Sequence, residues 1–161
     1  AQLLIQVAGR AGRAQRPGEV WWQTHHPDHR LLHDLINGGY DVFARDELVQ
    51  RDAAGFPPFA HLALLGAEAQ KAEAAPAFLH AAKAVLAGAH GDGGVLPIEL
   101  HGPLTAPMPR RAGLYRMQLL LSSSHRPALH AWLGASLPAI HALPEGRRTR
   151  WSLDVDPVDL Y

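Results

Sequence analysis

Three side chains near the start of the chain have the types and spacing for phosphate chemistry. Gln6, Arg10 and Arg13, within Gln6-Val-Ala-Gly-Arg-Ala-Gly-Arg13, stand at i, i+4 and i+7. On a helix they share one stripe. Two guanidiniums held in that way offer forked donors to phosphate oxygens, the arrangement by which an arginine finger stabilises a transferring γ-phosphoryl group. Gly9 and Gly12 each weaken such a helix by roughly 1 kcal/mol relative to alanine, which implies a compensating close approach.

A second cluster is Arg110-Arg111-Ala-Gly-Leu-Tyr-Arg116, where a proline-rich loop meets a strand. Arginines with an interleaved tyrosine suit contacts to a DNA backbone or capture of an acidic peptide. An exposed hairpin with solubilising charge is the plainer alternative, and the residues alone leave these readings open. Three phosphate contacts would give a salt slope of roughly −2 to −3.

Other clusters carry less. His25, His26 and His29 are close, yet His-His-x-x-His lacks the helical His-Glu-x-x-His arrangement and no cysteine completes a site. A strand-to-helix loop with polar caps is the simpler account, and no metal is expected. Asp154 and Asp156 are two apart and are expected to share a strand face, ending the strand or pairing with Arg148 or Arg150. Trp21, Trp22, Trp132 and Trp151 are expected in the core rather than as base-stacking platforms.

The elements that must position these residues follow from periodicity. Leu3 to Ala14 reads as a helix with Leu4, Val7, Ala8 and Ala11 opposite the arginines, stopped by Pro17-Gly18. Glu19 to Thr24 reads as a short buried strand. A helix is expected from Pro27-Asp28, with Leu31, Leu32, Leu35 and Ile36 inward, ending at Asn37-Gly38-Gly39. A second runs from Tyr40 to about Arg51. Gly55-Phe56-Pro57-Pro58 marks a boundary, since two prolines continue neither helix nor central strand. Beyond it the pattern predicts a strand over 61–67, a helix over 69–87, a glycine-laden loop over 88–94 and a strand over 96–101 broken by Gly102-Pro103. A strand over 114–122, a helix over 127–143 and a strand over 148–155 complete it. The order β-α-β-β-α-β suggests a ferredoxin-like sheet with two helices on one side, hence an α+β protein.

Composition sets the outer bounds. With 161 residues, 47% hydrophobic and 19% charged, the chain suits one globular domain, or one domain and a piece of another. No cysteine occurs, which excludes disulfides and thiolate zinc sites within these residues and fits a cytoplasmic location. No run of eighteen apolar residues and no basic-then-apolar leader are found. The formal net charge of zero hides an acidic stretch over 28–52 and arginine clusters at 10–16, 110–116 and 147–150. The chain has no initiator methionine and opens inside a helical pattern, so it is expected to be the C-terminal piece of something longer.

The pattern Gln-x-x-Gly-Arg-x-Gly-Arg resembles the last conserved motif of superfamily 2 helicases, and further segments resemble one family, the primosomal replication-restart helicases. They are Pro17-Gly-Glu-Val20, Gln23-Thr-His-His-Pro-Asp-His29, Tyr40-Asp-Val-Phe43, Glu47-Leu48, Arg51 and Phe56-Pro-Pro-Phe59. Gly102-Pro103, Ala106-Pro107, Tyr115-Arg-Met-Gln118 and Asp154-Val-Asp-Pro157 continue the match to the end of the chain. The resemblance implies the end of a RecA-like second helicase lobe over 1–38, a linking helix over 39–56 and a C-terminal DNA- and protein-binding domain over 57–161. It implies ATP-dependent 3′-to-5′ DNA unwinding at stalled forks and the start of primosome assembly. Arg13 would be the finger with Arg10 beside it, and Gln6 would position water or phosphate. Arg110, Arg111, Tyr115, Arg116 and Gln118 would bind forked DNA or a single-stranded-DNA-binding protein, alongside other primosome proteins. ATP and Mg would be held mainly by upstream residues, and zinc by upstream cysteines, so the fragment alone should be inactive. The alternative is a stand-alone module that binds nucleic acid, or the tail of the single-strand-binding protein, without an ATPase role.

Overall fold

The computed structural model describes residues 2–11, 19–89, 98–158 and 160. The chain divides into two compact units, Ala1–Ala54 and Gly55–Tyr161.

In the first unit, α1 spans Gln2–Ala8 and α2 spans Arg30–Ala53. The expected helix to Ala14 therefore stops early. Leu4 and Val7 of its apolar stripe are exposed, so no burial offsets the glycine at position 9. Pro17-Gly18, the expected stop, lies outside the described residues. The expected buried strand over 19–24 is also corrected. This segment forms no strand, and Trp21 is 89% exposed. A strand buries its backbone only by pairing, and among the described residues this unit has no partner strand.

Helix α2 starts at Arg30, two residues after the expected Pro27-Asp28, because the His29 ring caps it by accepting from the Leu31 N–H at 3.3 Å. It bends at Gly39, whose φ is 74°, so it consists of two helical segments meeting where the glycines predict. Gly38 permits the bend sterically, since a Cβ there would sit 2.6 Å from that of Val42. Arg30 spans the bend to Asp46 at 3.1 Å. Leu35 alone is buried among the described residues of this unit, and Ile36, expected inward, is exposed.

The second unit is α+β, with strands β1 (His61–Ala69), β2 (Ile98–Arg111), β3 (Leu114–Ser123) and β4 (Arg150–Val155). Helix α3 (Ala74–Gly88) lies between β1 and β2, and α4 (Arg126–His141) between β3 and β4. The strands form one sheet in the order β2-β3-β1-β4, with every neighbouring pair antiparallel. Alternate residues Ala63, Leu65, Ala67, Leu119, Leu121, Trp151 and Leu153 join Phe78, Leu79, Leu129 and Trp132 in one core. The period of two in the strands thus turns one sheet face to both helices.

Several boundaries differ from expectation. Ala69 belongs to β1, paired with Tyr115, so α3 starts only at Ala74; the ladder overrides alanine's helix preference. Strand β2 does not break at Gly102-Pro103 but continues to Arg111 through register shifts at 101/104 and 105/110. Gly102 makes this possible with a φ of 115°, and a Cβ there would lie 2.9 Å from the Leu104 nitrogen. Pro103, which has no N–H, falls in the shift where the ladder asks for none. Helix α4 begins at Arg126 because His125 caps it, accepting from Ala128 at 3.2 Å, and it ends at His141 rather than Leu143. A 3-10 turn over Pro144–Arg148 delays β4 from the expected 148 to 150.

Candidate nucleic-acid and partner interface

The two arginine clusters differ in how the chain holds them. Gln6 lies exposed on α1, and Arg10 lies exposed just past its end. Gly9 keeps the helical bond to Ile5 O at 2.8 Å, while Arg10 and Ala11 bond to Val7 O and Ala8 O, three residues back, both at 3.1 Å. The turn tightens there, so the expected helical stripe does not continue from Gln6 to Arg10. Arg13 lies outside the described residues.

The second cluster sits on the β2–β3 hairpin. Arg111 pairs with Leu114 and Arg110 with Tyr115 around Ala112 and Gly113, whose φ values of 50° and 81° suit a type I′ turn. The Arg110 guanidinium stands 5.0 Å from the centre of the Tyr115 ring, a cation–π arrangement. Arg111 is exposed beside it.

Arg116 and Gln118 belong to another surface. Strand alternation carries them to the sheet face opposite the helices, where a depression of about 310 Å³ is lined by Gly66, Glu68, Arg116, Gln118, Arg150 and Ser152, among others. Its floor is set by register. Arg116, Glu68 and Arg150 form one row across β3, β1 and β4, and Gln118, Gly66 and Ser152 form the next. Gly66 leaves the middle of the second row without a side chain. Arg116 donates through Nε to Glu68 Oε1 at 3.1 Å. A partly exposed pair of this kind contributes about 0–1 kcal/mol, so an incoming anion can compete for Arg116.

The predicted interface set therefore divides into a tip, Arg110, Arg111 and Tyr115, and a depression, Arg116 and Gln118. Sequence reasoning missed Arg150, Ser152 and Gly66 as members of the second. The outward alternation of Ser152 and Asp154 was the available signal, but nothing local links β4 to β3 across β1.

The described surface offers donors and acceptors for binding a charged partner. His101 Nε2 is 3.2 Å from both Ser122 Oγ and Glu99 Oε2, but a relay needs the two ring nitrogens divided between base and orienting acid. Among the described residues no three His, Cys, Asp or Glu side chains gather to hold a metal. Asp156 pairs with Arg126, Oδ2 to Nη2 at 2.6 Å, not with Arg148 or Arg150. It lies past the end of β4 with a φ of 56°, a left-handed residue that ends the strand, so it and Asp154 do not share a strand face. Trp132 is buried and Trp151 stacks on Phe78 at 5.5 Å, whereas Trp21 departs from the expected core. No helix of the described residues is long and apolar enough to cross a membrane.

Residues 52–158 match the family model described as the primosomal protein N C-terminal domain. Replication restart protein PriA of Haemophilus influenzae is 42% identical over 160 residues, covering 99% of this chain and 21% of its own length. The Bacillus subtilis protein of that name is 31% identical over 97% of this chain, and the Treponema pallidum one 34% over 98%. The chain spans about a fifth of the length of these relatives. Among solved structures, the de novo designed protein Foldit4 reaches a TM-score of 0.42 at 8% identity, covering 62% of this chain and 99% of its own. On the family match and these relatives, the chain belongs to the primosomal protein N family through that family's C-terminal domain.

Proposed function

We propose that the chain is the C-terminal portion of an ATP-dependent 3′-to-5′ DNA helicase that restarts stalled forks and starts primosome assembly. The observation that carries this is the similarity to replication restart proteins over nearly the whole chain, including residues before the matched domain. On this reading residues 1–38 end a RecA-like lobe, 39–56 link, and 57–161 form the binding domain. The β-α-β-β-α-β order with strand order β2-β3-β1-β4 supports describing that domain as ferredoxin-like.

ATP with Mg supplies the phosphoryl group. Gln6 and Arg10 are exposed donors and carry no carboxylate for Mg, so they fit a group reaching a nucleotide held by residues upstream. Arg13 and Arg10 stabilise negative charge on the γ-phosphoryl oxygens, while Gln6 holds the attacking water or a phosphate oxygen. Zinc, where the whole protein carries it, would sit on upstream cysteines. Arg110, Arg111 and Tyr115 take the backbone of branched DNA at the hairpin tip. Arg116 and Gln118, with Arg150, take phosphate or the acidic tail of a single-strand-binding protein in the depression. A cytoplasmic location follows from replication restart.

The test is reconstitution. The full-length protein, or an N-terminal portion combined with this chain, is assayed for DNA-stimulated ATPase. Arg13→Ala should lower the rate about 10³-fold or more. An unchanged rate would sink the finger assignment. Lack of any ATPase in the intact protein would sink the helicase reading.

A further inference from the structure

The sheet has two edges, β2 and β4, and only one is blunted. Strand β2 carries Pro103, Pro107 and Pro109, shifts register twice, and has its Gly102 carbonyl taken by Lys83 Nζ. These are the devices that keep an edge from pairing. Strand β4 has none of them: no proline, and an unbroken register with β1.

The outward groups of β4 follow from one hydrogen bond. Asp156 N–H donates to Leu62 O at 2.9 Å, which makes 155/63 a non-hydrogen-bonded pair of the ladder. Antiparallel ladders alternate, so Asp154, Ser152 and Arg150 also bond to β1. Trp151, Leu153 and Val155 then turn their N–H and C=O groups to the outer edge, where nothing pairs with them among the described residues. Beside that edge runs a groove of about 540 Å³ lined by Leu137, His141, Thr149, Arg150, Trp151 and Leu153. A strand added here would place the side chains opposite Trp151 and Leu153 toward this groove, and the alternate ones beside Arg150 and Ser152.

Charge selects the occupant. Arg147, Arg148 and Arg150 stand exposed at the start of the edge, and among the described residues none forms an ion pair. A second copy of the chain, antiparallel, would set its Asp154 against Arg150 but leave Arg147 and Arg148 unmatched. A six-residue edge also falls well short of the roughly 1,200 Å² of a stable protein interface. We propose that the outer edge of β4 takes an extended acidic segment of a partner protein as a fifth strand. Its carboxylates face Arg147, Arg148 and Arg150, and an apolar side chain fills the groove by Leu137, Trp151 and Leu153. This site is separate from the hairpin tip, shares Arg150 with the depression, and does not depend on the helicase reading.

The test follows backbone amides of the isotope-labelled chain by NMR during titration with an end-blocked eight-residue peptide alternating glutamate and valine. Exchange at the Trp151 and Leu153 amides should slow at least tenfold, while Ser152, already bonded to β1, should not change. Leu153→Pro removes an outward donor without touching the β1 ladder and should abolish the effect. Should the proline variant fail to fold, Arg148→Glu with Arg150→Glu should transfer preference to a lysine–valine peptide. Unchanged β4 amides at millimolar peptide would overturn the proposal, as would equal response to the lysine peptide. So would loss of all binding in Arg110→Ala with Arg111→Ala, which would assign the peptide to the hairpin tip. Slowing that grows with protein concentration alone would name a second copy as the occupant.

Discussion

Residues 19–24 and 150–155 invite the same reading, yet one is an unpaired stretch and the other a strand. Glu19-Val-Trp-Trp-Gln-Thr24 has the stronger β-forming composition, and Trp21 ends up 89% exposed. Arg-Trp-Ser-Leu-Asp-Val, over 150–155, is more polar, and it pairs with β1 along its length. What separates them is the neighbour. A strand becomes one when an adjacent strand satisfies its backbone and a helix covers one face. The second unit supplies both, through β1 and through Phe78 of α3 against Trp151.

That contrast breaks most visibly in the core of the second unit. Phe78 is fully buried against Trp151, so Phe78→Ala should cost about 3–5 kcal/mol. Denaturant unfolding followed by tryptophan fluorescence would show it; a loss below about 1 kcal/mol would mean that β4 is not held through this contact. Next comes Gly102→Ala, which meets both a positive φ and a 2.9 Å approach to backbone. It should cost about 1–3 kcal/mol, and NMR should show β2 released from β3 beyond His101. His125→Ala removes the α4 cap, with about 1 kcal/mol expected, read by chemical denaturation.

Arg116→Ala is a smaller effect on folding, since its pair with Glu68 is partly exposed and worth about 0–1 kcal/mol. Its consequence should appear instead in DNA titration at several salt concentrations, as a slope shallower by about 1. An unchanged slope would remove Arg116 from the phosphate contacts. At the bottom of the scale, Trp21→Ala should leave stability within about 0.5 kcal/mol. A large loss there would show that the segment over 19–24 is buried after all and erase the contrast.

Much of the second unit was legible locally. The alternation in 114–122 and in 151–155 gave both strand and facing, because a half-buried strand repeats every two residues. Asn37-Gly38-Gly39 announced the bend in α2 through the only residue type that takes its φ and its close approach. Other features were not local. The passage of β2 through Gly102-Pro103 depends on bulges that only the facing strand defines. Arg116 and Gln118 were singled out with the hairpin arginines as one set, although alternation divides them between tip and depression. Arg150 joins them only because β1 lies between β3 and β4.

By itself the sequence determined the family, the element order of the second unit and the residue types able to meet phosphate or acidic partners. These are written in periodicity, in glycine and proline placement, and in motifs whose spacing is short. Only the tertiary structure decided which arginines share a surface and which sheet edge is left unblunted. Those depend on pairing between segments far apart in the chain, where register rather than sequence distance sets what each side chain meets.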